Sequence, residues 1–281
     1  VASYRFAICN EIYQDLPLSE ICRSARALGY QGVELAPHTL AEDATQLSSA
    51  DRALIRRQFS DAGVEFVGLH WLLVSPPGLQ ITSADSIVRR RSWDYVRRSI
   101  QLCSDLGTSN QNPQTVIVMG SPKQRSTRDG MPAENGVAIW AEELAALAPQ
   151  AQSAGVTVLV EAIPSAETNV VNTLEQAVGL VQNVNSPAVQ TMFDVHNAAD
   201  ERSSHRDLLQ TYATYIRHVH VNEMDGQEPG RGSYDFDALL RVLEDLQYSG
   251  WVSVEAFDFT RPPEEIAGGA ITRLKLSRLG A

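Results

Sequence analysis

Four apolar runs in this sequence carry, near their C-terminal ends, a side chain that can ligate a metal or move a proton. VTVLVEAI holds Glu161, VQTMFDV Asp194, IRHVHVN His220 and WVSVEAF Glu255. Three carboxylates brought into one desolvated spot repel one another and rise in pKa unless a cation lies among them. With one imidazole they make a mixed oxygen and nitrogen donor set. Such a set suits octahedral Mn²⁺, Mg²⁺, Co²⁺ or Fe²⁺ with positions open to substrate, and it also admits Zn²⁺. Singly, each residue has a plainer reading as a helix cap or a surface ion-pair partner; four on consecutive strands are harder to explain that way. Within IRHVHVN, strand alternation puts His218, His220 and Asn222 on one face. His220 is read as the ligand, His218 as its support one layer deeper, and Asn222 as the rim.

The elements that must position these groups alternate along the whole chain. Strand patterns fall at 4–9, 32–36, 64–70, 115–120, 156–163, 189–195, 216–222 and 251–257, each followed by helical spacing such as 18–30, 86–107 and 136–155. Alternation of this kind implies parallel strands, several of them apolar throughout because both faces are covered. An open doubly wound sheet satisfies the same pattern, but eight units in 281 residues favour a single (β/α)8 TIM barrel of the α/β class, one domain spanning 1–281. In that fold the chemistry sits at the C-terminal ends of the strands. The pieces ALGYQGVEL, DAGVEFVGL, SAGVTVLVE and LQYSGWVSVE each place a glycine between a helix and the next strand, the residue that best tolerates a left-handed helix cap. Segments 71–84 and 121–135, rich in Pro, Gly and Ser, are the long loops and are expected as lids.

Composition excludes several classes. Hydrophobic residues at 43% and charged residues at 20% describe a globular chain rather than a disordered one. A net charge of −11 argues against a nucleic-acid-coating protein, which needs concentrated positive surface. The three cysteines are far apart and form no CxxC pair, as in a reducing cytosol, and each reads as a small buried apolar residue. VASYRFAIC enters a strand pattern with no basic segment or long apolar run, so neither a signal peptide nor a membrane span is expected and the location is read as cytoplasmic.

VEAIPSAETNVVNT (160–173), FDVHNAADE (193–201), HVHVNE (218–223), PGRG (229–232) and GWVSVEAF (250–257) together resemble the xylose isomerase-like TIM-barrel superfamily, in particular its sugar isomerase/epimerase group. The resemblance runs over nearly the whole chain. It implies one divalent metal ion, Mn²⁺ first, held by Glu161, Asp194, His220 and Glu255, with Glu161 and Glu255 also the catalytic acid/base pair. Their task would be proton abstraction next to a metal-bound carbonyl of a sugar or sugar phosphate, through a cis-enediolate. It further implies that Glu167 reaches the sugar oxygens, with Asn172 and Thr173 in the same motif, and that Arg231 contacts substrate or braces its loop. His70, in GLH, matches a position familiar in related barrels. Related barrels are often dimers or tetramers, which sets the expectation for a homo-oligomer. Two positions depart from the group: a substrate-binding histidine stands three residues after the aspartate there, where this chain has Asn197 preceded by His196, and the arginine six residues after the metal histidine is Gly226.

Lys123 and Arg125 follow strand 4 at the same mouth and are read as an anion site for a phosphate or carboxylate, or as solvated surface charge. A dehydratase of an inositol-derived or other cyclic ketone is the competing enzyme, since the same enolate can expel a β-hydroxyl. A non-catalytic sugar-binding barrel and an AP endonuclease-type enzyme stand further off. The latter uses more histidines around a three-zinc cluster, whereas strand 4 here ends in Gly120. The expected partner is therefore a small sugar, sugar phosphate or cyclitol, with no nucleic acid.

Overall fold

A computed structural model of the chain describes residues 4–107 and 115–279. Residues 1–3, part of the segment read as lacking a signal peptide, lie outside the described residues. The strands are β1 (Arg5–Cys9), β2 (Gly32–Leu35), β3 (Glu65–Leu69), β4 (Thr115–Met119), β5 (Val156–Val160), β6 (Val189–Asp194), β7 (Ile216–Val221) and β8 (Trp251–Val254). All neighbours pair in parallel, and β8 returns to β1, closing a barrel in chain order. Among the described residues the α-helices are α1 (Leu18–Leu28), α2 (Ser49–Ala62), α3 (Ser86–Leu106), α4 (Pro122–Arg125), α5 (Ala133–Ala154), α6 (Leu174–Val184), α7 (His205–Tyr212), α8 (Phe236–Asp245) and α9 (Pro263–Leu279). None is both long and apolar enough to cross a membrane.

Strand parity sets which residues face the barrel axis. Along β1, Phe6 and Ile8 join the large apolar cluster that packs under the helices, while Ala7 belongs to a separate small cluster with Val67, Val116, Val118, Leu159, Met192 and Trp251. The two clusters interleave residue by residue along the strands, as a period of two requires, so the small one fills the interior. The same parity turns Cys9, Glu34, Glu161, Asp194, His220 and Glu255 inward, one layer higher. Two glycines make the lower packing possible: a Cβ on Gly32 would stand 2.6 Å from a Val67 methyl and 2.9 Å from the Trp251 ring, and one on Gly68 would overlap the Val116 carbonyl.

The glycine turns form as the sequence predicts after α1, α2 and α5, where Gly29, Gly63 and Gly155 take φ of 99°, 70° and 68°. The fourth does not. Past α8 the left-handed residue is Gln247 (φ 54°), and Gly250 lies against the Tyr248 ring instead. The two long loops are anchored rather than free: Leu72, Leu73, Leu79 and Ile81 of the first and Arg125 of the second are buried.

Candidate active site

Runs read from sequence as 156–163 and 251–257 stop pairing at Val160 and Val254, so Glu161 and Glu255 are the first residues beyond their ladders. Asp194 closes β6, and His220 is the penultimate residue of β7, paired in register with Asp194 on one side and Ser253 on the other. One donor atom from each of the four lies within 4.8 Å of all the others, and all four residues are buried. Glycine at 120 leaves the room: a Cβ there would overlap the Glu161 carboxylate.

Each donor is oriented by a second group. Asn197 donates its side-chain amide to Glu161 Oε1 (2.9 Å) and its backbone N–H to Asp194 Oδ1 (2.9 Å). Asn222 donates to Asp194 Oδ2 at 3.4 Å and accepts the backbone N–H of His196 at 2.9 Å. His220 Nδ1 faces Glu255 Oε2 at 3.1 Å and Asp194 Oδ2 at 3.5 Å, while its Nε2 is 3.3 Å from both oxygens of Glu34. A carboxylate behind the far nitrogen fixes the tautomer that presents Nδ1 to the cluster, the usual arrangement behind a metal-ligating histidine. His218 supports the site through that same carboxylate, with Nε2 at 2.9 Å from Glu34 Oε2.

The electrostatics follow from crowding. Burial, then the charges of Glu255 and Asp194, push the Glu161 carboxyl up to about 8. Burial also raises Glu255, aided by Asp194 and Glu11 against the opposing pull of His220. For Glu34, burial acts upward too, but His218 and His220 hold it well below the usual carboxylate range. Burial would lower His220, yet Glu34 and Glu255 hold it well above the ordinary histidine value.

A cavity of about 500 Å³ opens onto this cluster. Glu161, Glu255, Glu167, His196, Asn197 and Lys123 line it, so both residues competing for the departed histidine position reach it, from different heights: Asn197 is buried, whereas His196 donates its Nδ1–H to the Met224 carbonyl (2.9 Å) at the rim. Trp71 lines it as well, stacked on Phe257 with ring centroids 6.1 Å apart.

Three further residues singled out in the sequence lie away from the cavity's lining. Arg125 is no anion receptor: it is fully buried, and its guanidinium donates to the backbone carbonyls of Glu161 (2.6 Å) and Val171 (2.7 Å). His70 lies outside the cavity lining and fully buried, its Nε2 2.6 Å from Glu11 Oε2. Arg231 is likewise outside the lining; its side chain is 53% exposed and 3.9 Å from Glu228, which places it on its own loop. Asn172 braces the loop after β5 by donating to the Ile163 and Thr168 carbonyls, and Thr173 caps α6.

Glu34, Glu11 and Phe257 were missed from sequence. Glu34 does leave a signal, as the one charged residue in an otherwise apolar strand. Phe257 explains the departure at Gly226: a Cβ there would stand 2.6 Å from the Phe257 ring, and the φ of 80° also favours glycine.

The xylose isomerase-like TIM barrel family matches residues 22–276. The chain belongs to that family. It is 26% identical over 256 residues to a probable ketose 3-epimerase of Synechocystis sp., covering 89% of this chain and 81% of the relative. It is 24% identical over 237 residues to D-psicose 3-epimerase of Agrobacterium fabrum, covering 82% and 76%. A crystal structure of a D-psicose 3-epimerase in the presence of D-fructose superposes with a TM-score of 0.83 at 20% identity, covering 99% of this chain and 100% of that one. At that identity the superposition speaks for the family fold alone.

Proposed function

We propose that this member of the xylose isomerase-like family is a ketose 3-epimerase that depends on one divalent cation, Mn²⁺ first. The ketose 3-epimerase names of its relatives support the reaction class. The observation that carries the reading is the placing of Glu161 and Glu255 in one cavity, on β5 and β8, with Asp194 and His220 on the two strands between them. A proton can thus leave one face of a bound substrate and return to the other.

The donor set fits a divalent ion. Three buried carboxylates converge on one imidazole nitrogen, and the nearby guanidinium of Arg125 is turned to backbone carbonyls, so protein cations leave the cluster's charge unbalanced. Glu161, Asp194, His220 and Glu255 would hold the ion, which when bound polarises the substrate carbonyl and acidifies the neighbouring C–H. The remaining work belongs to the side chains. One glutamate takes the proton from carbon 3, giving a cis-enediolate, and the other delivers a proton to the opposite face. Asn197 keeps Glu161 Oε1 pointed at the substrate, and burial raises both carboxyls, Glu161 to about 8, so that they hold a proton more readily than an ordinary carboxylate. Trp71 and Phe257 form the wall that excludes water above them.

Incubation of the Mn²⁺-loaded protein with ketohexoses and their phosphates in deuterated water tests the reading. The expected result is the carbon-3 epimer carrying one solvent deuterium at the inverted carbon. A dehydrated product, or no C–H exchange with any sugar, overturns it.

A further inference from the structure

A second group of donors adjoins the first and, apart from the shared Glu255, has no part in the proton transfers above. Cys9 and Glu11, at the end of β1 and just past it, meet His70 just past β3 and Glu255 just past β8. One donor atom from each lies within 4.8 Å of the others, and all four residues are buried. We infer that Cys9, Glu11, His70 and Glu255 form a second divalent-cation site, with the Glu255 carboxylate bridging it to the first.

Two unpartnered atoms point to a missing ligand. Glu11 Oε1 is buried without a hydrogen bond, although Glu11 is only 5% exposed. His70 is 0% exposed and its Nδ1 also lacks a hydrogen bond, its facing group being Glu34 Oε1 at 3.8 Å. Stranded polar atoms in a core are costly and rare. With a cation between His70 Nε2 and Glu11, now 2.6 Å apart, the ring presents its Nδ1–H to Glu34. That repeats the histidine and carboxylate pairing already seen at His220, with the same carboxylate serving both rings.

Charge argues the same way. One divalent ion offsets two of the three carboxylates of the first cluster, while Glu11 and Glu34 add two more buried carboxylates whose hydrogen-bonded partners here are the imidazoles of His70, His218 and His220. Buried carboxylates in such numbers call for more positive charge.

The donor types say which cation. A thiolate, an imidazole and two carboxylates favour a borderline, four-coordinate ion, Zn²⁺ or Co²⁺, where the upper oxygen-rich set favours a harder one. A tetrahedral ion with bonds of about 2.0–2.3 Å holds its ligand atoms about 3.3–3.8 Å apart, so the His70–Glu11 contact of 2.6 Å opens by roughly 1 Å to admit it, within a cluster whose donors lie no more than 4.8 Å apart. Binding displaces to solvent both the Cys9 thiol proton and the proton held between His70 Nε2 and Glu11, leaving a thiolate, a neutral imidazole and two carboxylates as ligands.

The inference rests on the proposed function only in sharing Glu255, and cobalt separates the two. Chelator-stripped protein reloaded with Co²⁺ in reducing buffer is expected to hold two ions per chain by elemental analysis and to show a thiolate-to-cobalt charge-transfer band in the near ultraviolet. Cys9→Ser removes the band and one ion. Asp194→Asn, which cripples only the upper set, keeps the band. Because Cys9 is buried, the Cys22→Ser, Cys103→Ser double variant supplies a second reading: with Cys9 as the sole thiol, the band persists. One ion per chain and no sulfur band in the unaltered protein overturns the second site. The epimerase reading survives that result if the same sample still exchanges the substrate C–H.

Discussion

The two ends of the barrel solve opposite problems with the same strands. At the lower end the interior is a plug: Val67, Val116, Leu159 and Met192 pack around Trp251, and the Arg5 guanidinium lies over that ring, 3.7 Å from its centroid. One layer up, the inward positions of the same strands hold Glu34, Glu161, Asp194, His220 and Glu255. Apolar contact makes the floor stable on its own. The upper layer is stable only through pairing and hydrogen bonds, so the cost of its charges is carried by the rigid layer below. Placing function above a structural floor lets chemistry change without refolding the ring.

The largest effect that sharpens this division is expected at Glu255. Glu255→Gln removes one partner of the acid/base pair and should slow substrate C–H exchange by about 10²–10⁴-fold, with far-ultraviolet circular dichroism unchanged. Retained exchange would erase the functional distinction between the layers. Leu159→Ala, in the plug, should do the reverse: about 2–5 kcal/mol of stability lost in urea unfolding, with turnover per folded molecule preserved.

Glu34→Gln sits between the two. It leaves the donors in place but removes the carboxylate behind His220 Nε2, and should weaken metal affinity about 10–100-fold by calorimetry. A smaller effect concerns pH. The folded-state pKa of Glu161 is raised to about 8, so between its ordinary value of 4.5 and about 8 the native state binds more protons than the unfolded one. Stability of the metal-stripped protein therefore falls as pH rises through that window, and added Mn²⁺ restores it at the alkaline end. Melting temperatures across the window check the slope; a rise with pH would contradict the crowding at the upper layer. Smallest of all, Lys123→Ala should leave exchange of free ketoses nearly unchanged and weaken only substrates that carry an anion.

How far the sequence revealed this depended on where each partner lies. Glu161, Asp194, His220 and Glu255 were legible because each interrupts an apolar run at the end of its own strand, and local alternation is enough to see that. Glu11 was not, and Glu34 showed only as a lone charge in an apolar strand, since their meaning arises only when the ring closes: His218 and Glu34 are 184 residues apart. Arg125 misled because its partners are backbone carbonyls, which every sequence has and no pattern marks. Gly226 was visible as a departure, but the aromatic ring that fills its place comes from beyond β8. Helix termini were predictable where glycine took the left-handed cap, and failed where Gln247 took it instead.

Since β1 and β8 are neighbours, the pocket has a seam where the first strand of the barrel meets the last. During synthesis, Cys9 and Glu11 leave the ribosome long before Glu255 does. Until the eighth strand docks, the acidic interior has neither its roof nor its last ligand. On the proposed ligand set, a cation can therefore be captured only late, as the latch that fastens the circle once the whole ring has been delivered.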